Sequence, residues 1–210
     1  MKYKVMIVED QTMPRELFEL RVQASERFEL ALSIDNAALA DVYCLRFPVD
    51  LILMDVITRD GENGLDAAAR IKRAFPQIKI IIVTSMPECS YLSRAKEIAV
   101  ESFWYKEEQR ESLLDVMERT MNGESVYPGA SPELTLGMAS SYQFTERELD
   151  ILREITSGDT NQEIADRLNM SVATVKTHIL NMLEKTGFRN RTELAVRARE
   201  SGLVILNRRN

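Results

Sequence analysis

The sequence predicts an α/β protein, a doubly wound parallel sheet of five strand–helix units, followed by a smaller all-α domain of four helices. Three observations carry that prediction. Short apolar runs without polar alternation, of which Leu51-Ile52-Leu53-Met54 is the clearest, read as strands covered on both faces. Five such runs alternate with helical patterns over residues 1–122, the order that right-handed crossovers wind into one parallel sheet. Beyond residue 143 the apolar period is helical throughout, with Thr, Ser or Asn where helices begin.

Composition bounds the rest. The 210 residues are 45% apolar and 29% charged, ordinary for a globular chain and against disorder. No run of about 18 apolar residues occurs and the start enters a strand pattern directly, so the expected location is the cytoplasm, with no membrane partner. Cys44 and Cys89 are too few for a disulfide scaffold and lack the clusters zinc needs, so both read as reduced thiols. Charge is uneven: residues 1–122 carry net −5, 123–166 net −7 and 167–210 net +6. Only the last segment has the sign that a phosphate backbone attracts.

In order, residues 4–10 are a strand running into Glu9-Asp10, and Pro14 opens a helical stretch through Val22. Residues 28–34 form the second strand, after which Asp35 or Asn36 caps a helix over 37–42. The third strand ends at Asp55. A Gly-containing loop, 61–64, leads to a helix over 65–75 stopped by Pro76. Residues 78–84 are the fourth strand and end at Thr84; a helix over 88–99, a fifth strand over 100–105 ending before Lys106, and an amphipathic helix over 111–121 complete the unit.

The strand ends converge on one edge, where open α/β sheets bind ligands. Glu9, Asp10 and Asp55 would repel one another and raise each other's pKa without a cation, and a hard divalent ion such as Mg²⁺, which takes a few carboxylates, waters and substrate phosphate, fits the set. An Asp beside such an ion can act as nucleophile toward phosphorus. Lys106 would balance phosphoryl charge, and Thr84 could hydrogen-bond one oxygen. Singly, each residue is more often a turn, a cap or a plain strand residue; five at the ends of four strands is the signal.

This constellation resembles the receiver domain of two-component response regulators, of flavodoxin-like fold, over residues 1–122. The resemblance implies that Glu9 and Asp10 help hold Mg²⁺, that Asp55 is phosphoacceptor and ligand, and that the backbone carbonyl of Ile57 is a further ligand. It implies Thr84 as switch hydroxyl, Lys106 as phosphate partner, Phe103 as switch aromatic, and a sensor histidine kinase as partner. The chain departs from the family pattern at Arg59, where Pro is common, in a loop over 60–64 one residue longer than usual, and at 100–102, which lacks Gly. Apolar Ile57 and Met86 flank the site and are expected to restrict attacking water, giving a long-lived phosphoryl group.

Residues 123–143, rich in Gly, Pro and Ser, read as a linker with a short helical turn near 132–138. Residues 144–210 are the second domain. Thr145 and Glu148 make a capping box with Phe144 and Leu149 as staple, in a helix to about Thr156. Thr160 caps a helix over 161–168, Ser171 caps one over 172–185 closed by Gly187, and Asn190 starts a last one to about Ser201. Two short helices joined by the turn 169–171 form a helix-turn-helix whose second helix lies in the major groove. Its outward face carries Thr174, Lys176, Thr177 and Asn181, suited to phosphates and base edges.

From Phe144 to about Leu206 the residues resemble the LuxR-type helix-turn-helix of the NarL/FixJ subfamily, including Thr145-Glu146-Arg147-Glu148, Asn161, Glu163-Ile164-Ala165, Thr174-Val175-Lys176, Lys185 and Arg191. The resemblance implies DNA contacts at Asn161, Thr174, Lys176, Thr177, position 180, Asn181, Lys185 and Arg191, and a homodimer on phosphorylation that reads duplex half-sites, with dimer contacts through the last helix. Position 180 is Leu180, where relatives use polar or basic groups, so an apolar contact to a thymine methyl is expected there. The lone His178 has no metal-spaced partners and reads as helix packing. An enzyme using Asp55 would need a general acid/base beside it, and the residue two positions on is Ile57; the expectation is a transcriptional regulator, not an enzyme. A constitutive DNA binder whose first domain merely dimerises is the remaining rival.

Overall fold

The computed structural model describes residues 2–85, 89–106 and 111–204. The chain divides into two compact units, the first made of most of the residues up to Gly129 and the second of most of those from Ala130 on.

In the first unit, β1 (Tyr3–Val8), β2 (Phe28–Ile34), β3 (Leu51–Met54), β4 (Lys79–Thr84) and β5 (Ser102–Tyr105) form one sheet in the order β2-β1-β3-β4-β5. Every pairing is parallel. Both faces are covered, which is why β3 is apolar at all four positions and buried throughout. The helices are α1 (Thr12–Gln23), α2 (Ala40–Arg46), α3 (Gly64–Ala74), α4 (Cys89–Glu97) and α5 (Leu113–Met121). One core cluster packs Val5, Ile7, Leu51, Leu53, Ile81 and Val83 with Phe18, Trp104 and Met117.

Local departures from the expected elements have local causes. Helix α1 starts at Thr12, so Pro14 sits inside the first turn, where its missing N–H costs nothing. Asn36 caps a 3-10 turn over Ala37–Leu39, accepting from the Ala38 N–H, before α2 begins. Strand β5 starts only at Ser102, because Ala99 takes a left-handed conformation (φ 57°) and Val100 N–H returns to the Ala95 carbonyl.

In the second unit, α6 (Glu146–Thr156), α7 (Asn161–Arg167), α8 (Val172–Thr186) and α9 (Arg191–Ser201) follow the expected order. Thr145 and Glu148 form the expected capping box, and Phe144 and Leu149 are both buried in the same core cluster. A second capping box joins Thr160 and Glu163 at α7. Ser171 caps α8, and Gly187 ends it in the left-handed conformation (φ 75°).

The segment read as linker carries regular structure in its second half, from Thr135 onward. Instead of a helical turn near 132–138, β6 (Thr135–Leu136) and β7 (Ala139–Ser140) form an antiparallel hairpin. Leu136 and Ala139 enter the core with Ile164, Val175 and Met182. The hairpin seals the end of α8: Met138 N–H donates to the Thr186 carbonyl at 3.0 Å. Gly137 is required at that crossing, since its φ is +62° and a Cβ there would lie 2.1 Å from the Thr186 carbonyl oxygen.

Candidate functional site

Register assembles the first site. Val8 pairs with Met54, so Glu9 and Asp55, each one residue further along, leave the sheet at the same height on adjacent strands. They do so where the strand order reverses, β1 lying between β2 and β3, the crevice that doubly wound sheets leave open. Asp55 N–H donates to the Val8 carbonyl at 2.9 Å, and Lys106 N–H to the Thr84 carbonyl at 2.9 Å. Four strand tips are thereby tied together in pairs.

The side chains meet there. Glu9 is fully buried and Asp55 is 4% exposed. Lys106 Nζ lies 2.5 Å from Glu9 Oε2 and 2.8 Å from Asp55 Oδ2. Asp55 Oδ1 accepts from the Val56 N–H at 2.7 Å, and Glu9 Oε1 from the Gln11 N–H at 3.1 Å. One carboxylate oxygen each from Glu9, Asp10 and Asp55 fall within 4.8 Å of one another. Burial, with the Glu9 charge added, pushes the Asp55 carboxyl up to about 7 against the opposing pull of Lys106. Burial by itself would lower Lys106, but the Asp55 and Glu9 carboxylates outweigh it and raise the ammonium above its ordinary value.

Thr84 is buried at the tip of β4 and Phe103 is buried on β5. The Phe103 ring packs against Tyr105 at 5.0 Å between centroids. Ile57 bridges antiparallel to Asn63 across the loop after Asp55. Met86 lies outside the described residues.

Several supporting residues were not legible in advance. Gly64 approaches the acceptor directly: a Cβ there would lie 1.8 Å from the Asp55 carbonyl oxygen. Arg15 Nη1 donates to the Glu9 carbonyl at 3.1 Å. The loop after Asp55 is pinned to the β2–α2 corner, with Arg59 Nη1 2.6 Å from Asp35 Oδ2 and Ala37 N–H donating to Thr58 Oγ1 at 2.9 Å. Asp60 takes a left-handed conformation there, with φ 63°. The only advance hint of these contacts was a Gly beside a strand end and a cation where Pro was expected.

In the second unit, Thr174, Lys176, Thr177, Leu180 and Asn181 are all exposed on α8, and Leu180 is 56% exposed. Val175, Ile179 and Met182 face the core. The other three expected contacts are engaged within the unit. Lys185 Nζ lies 2.8 and 2.7 Å from the two Glu148 carboxylate oxygens and 2.8 Å from the Gln143 carbonyl. Its charge is thus paired with the buried Glu148 and joins α8 to α6. Arg191 donates to Asn161 Oδ1 at 2.6 Å and to the Asp159 carbonyl, so these two residues hold α9 against the start of α7.

A parallel α/β unit with an acidic pocket at its switch point, carried on one chain with a helix-turn-helix, defines a regulator that couples a receiver to a DNA reader. The chain belongs to the response regulators of the luxR type: the family model described as response regulator receiver domain matches residues 5–118, and that described as bacterial regulatory proteins, luxR family, matches residues 142–198. It is 32% identical to the response regulator protein VraR of Staphylococcus epidermidis over 97% of this chain and 100% of that protein. VraR of Staphylococcus aureus is equally similar, 32% identical over the same shares. Among solved structures, RcsB from Salmonella enterica serovar Typhimurium bound to the promoter P1flhDC has a TM-score of 0.61 at 19% identity, covering 97% of this chain and 100% of that one. The response regulator ChrA of a heme-sensing two-component system has a TM-score of 0.52 at 20% identity, covering 97% and 99%. The α/β receiver fold and the C-terminal helical domain are shared with these proteins. Among the described residues no helix is long and apolar enough to cross a membrane.

Proposed function

We propose that Asp55 accepts a phosphoryl group from a sensor histidine kinase, and that this modification controls dimerisation and promoter binding through the exposed face of α8. The observation that carries the reading is the meeting of Glu9, Asp10, Asp55 and Lys106 at one buried strand edge. An Asp55 carboxylate oxygen forms the bond to phosphorus as the donor's P–N bond breaks, and the departing imidazole keeps or gains its proton. Lys106, already within 2.8 Å of Asp55, is placed to hold the incoming phosphoryl oxygens, and Thr84 at the neighbouring tip to donate its hydroxyl.

The donor set fits Mg²⁺: it is all oxygen, three carboxylates close together, in a pocket whose negative charge one ammonium only partly offsets. Glu9, Asp10, Asp55 and the Ile57 carbonyl would hold the ion, which when bound supplies charge neutralisation for the transferred group. The neighbouring Lys106 contacts two of these carboxylates in the structure, doing part of that neutralisation itself.

On the DNA side, Lys176 and Thr177 serve phosphates and base edges, Thr174 and Asn181 flank them, and Leu180 offers an apolar surface to a thymine methyl. Lys185, Asn161 and Arg191 act by holding the unit together. The protein works in the cytoplasm as a homodimer when phosphorylated, and turnover of a substrate is not part of its role. Intact mass of wild type and Asp55→Ala after acetyl phosphate with Mg²⁺, followed by sizing and DNA titration, tests this. One phosphate on wild type alone, with a dimer and tighter DNA binding, is the expected result; equal DNA binding with and without phosphate would favour a constitutive binder.

A further inference from the structure

The outer edge of β5 is occupied by the chain that leaves the first unit. Strand β5 ends the sheet order, so among the described residues one side of it has no neighbouring strand. Residues after α5 fold back along that side: Phe103 N–H donates to the Val126 carbonyl at 2.8 Å. Val126 N–H donates to Ser102 Oγ at 3.1 Å, and Ser102 Oγ is also 2.6 Å from Thr120 Oγ1. Val126 packs against the core. Tyr127 then lays its ring 6.4 Å from that of Phe103, with Lys96 Nζ 5.3 Å from the Tyr127 centroid. The Tyr127 hydroxyl donates to the Val100 carbonyl at 2.6 Å.

These contacts fall on the strand that leads into Lys106. Lys106 Nζ lies 2.8 Å from Asp55 Oδ2, so a phosphoryl group on Asp55 draws the ammonium from that carboxylate oxygen onto the phosphoryl oxygens. Lys106 follows directly on β5, three residues after Phe103, and displacement of the strand tip is transmitted along a backbone with few soft dihedrals. The hydrogen bonds of Phe103 and Val126 lie at the sheet edge, on the side of β5 away from β4.

We propose that residues 124–127 form a latch on the edge of β5, held by the Phe103 ring and the Tyr127 hydroxyl, which opens when Asp55 is phosphorylated and so frees the chain leading to the second unit. The latch rests on the reading of Asp55 as phosphoacceptor and adds to it a defined path out of the receiver. Tyr127 is a positioning residue: it touches Phe103 and Val100, not the phosphoryl site.

The test is hydrogen exchange at the amides of Phe103 and Val126 in the full chain, with and without acetyl phosphate and Mg²⁺, with phosphate incorporation followed by intact mass. Phosphorylated wild type should exchange about tenfold faster at both amides, equivalent to ~1.4 kcal/mol of lost protection. Tyr127→Phe, which keeps the ring and loses only the hydroxyl, should exchange faster than wild type before phosphorylation and gain less on it, while still taking up phosphate. Asp55→Asn should exchange at the same rate with and without acetyl phosphate. Unchanged or slower exchange in a sample carrying phosphate overturns the latch and leaves the Asp55 reading intact, as does a Tyr127→Phe profile identical to wild type. A sample that takes up no phosphate overturns the Asp55 reading and the latch with it.

Discussion

Lys185→Met should cost stability rather than DNA affinity. In the folded second unit the Glu148 side chain is 3% exposed and its ion-pair partner Lys185 is 32% exposed. Removing the cation leaves a nearly buried carboxylate with only the Thr145 backbone and hydroxyl as donors, at 2.8 and 3.1 Å. Breaking a buried pair in this way costs about 3–5 kcal/mol, and because Lys185 is open enough for water to replace it in part, the expected loss is about 2–3 kcal/mol. For a domain of this size that lowers the second unit's melting temperature by roughly 10–20 °C. Burial alone would raise the Glu148 carboxyl; the bonds from Lys185 and Thr145 outweigh it and hold the carboxyl below its ordinary value. The pair's contribution is therefore present above the ordinary carboxylate range and lost as pH falls through the lowered folded value, so wild type and variant should converge in acid. Calorimetry of the full chain from pH 3 to 8, with a DNA titration well below both transitions, measures this. A variant that melts with wild type at pH 7 yet loses DNA affinity, with a flatter salt dependence, would show Lys185 to be a phosphate contact and refute the reasoning.

Lys176→Ala is the converse case: exposed and outside the core, it should leave melting unchanged while making the log–log salt slope of DNA binding shallower by about 0.9, as read from titrations between low and moderate salt. Gly64→Ala places a methyl 1.8 Å from the Asp55 carbonyl oxygen, so the acceptor strand or α3 must shift; a loss of about 2–3 kcal/mol in thermal unfolding, with slower phosphate uptake by mass, is expected. Asp55→Asn should melt higher than wild type at pH 8 in buffer containing a chelator. The folded state raises this carboxyl from 3.8 to about 7, so ionising it costs stability increasingly as pH rises across that interval, in full above it. The gain has a ceiling of about 4 kcal/mol, at ~1.36 kcal/mol per unit, reduced by the partner that Lys106 loses, and it should vanish toward pH 4.

The readable parts of the chain were those fixed by local chemistry. The buried strands at 51–54 and 79–84 were plain because a strand covered on both faces has no polar alternation to confuse it with anything else of that length. The caps at Thr145, Thr160, Ser171 and Asn190 were equally plain, since a hydroxyl or amide three residues before a free N–H is a neighbour in any conformation that begins a helix. The hairpin at 135–140 was missed because its two strands are two residues each, and its stability comes from Leu136 and Ala139 entering a core that residues of α6 to α9 build.

Sequence alone thus determined which groups this protein owns: acidic tips on β1 and β3, a Lys after β5, an amphipathic recognition helix, and the capped starts of its helices. Tertiary structure decided how each charged group is employed. Lys106 and Lys185 are the same residue type, each following or ending an ordered element, yet one closes on Glu9 and Asp55 and the other on Glu148, while Lys176 on α8 stays in water. The reason is physical. A cation's task is set by which carboxylate lies within a few ångströms and how much water is excluded there, and both depend on residues 37 to 97 positions away in the chain.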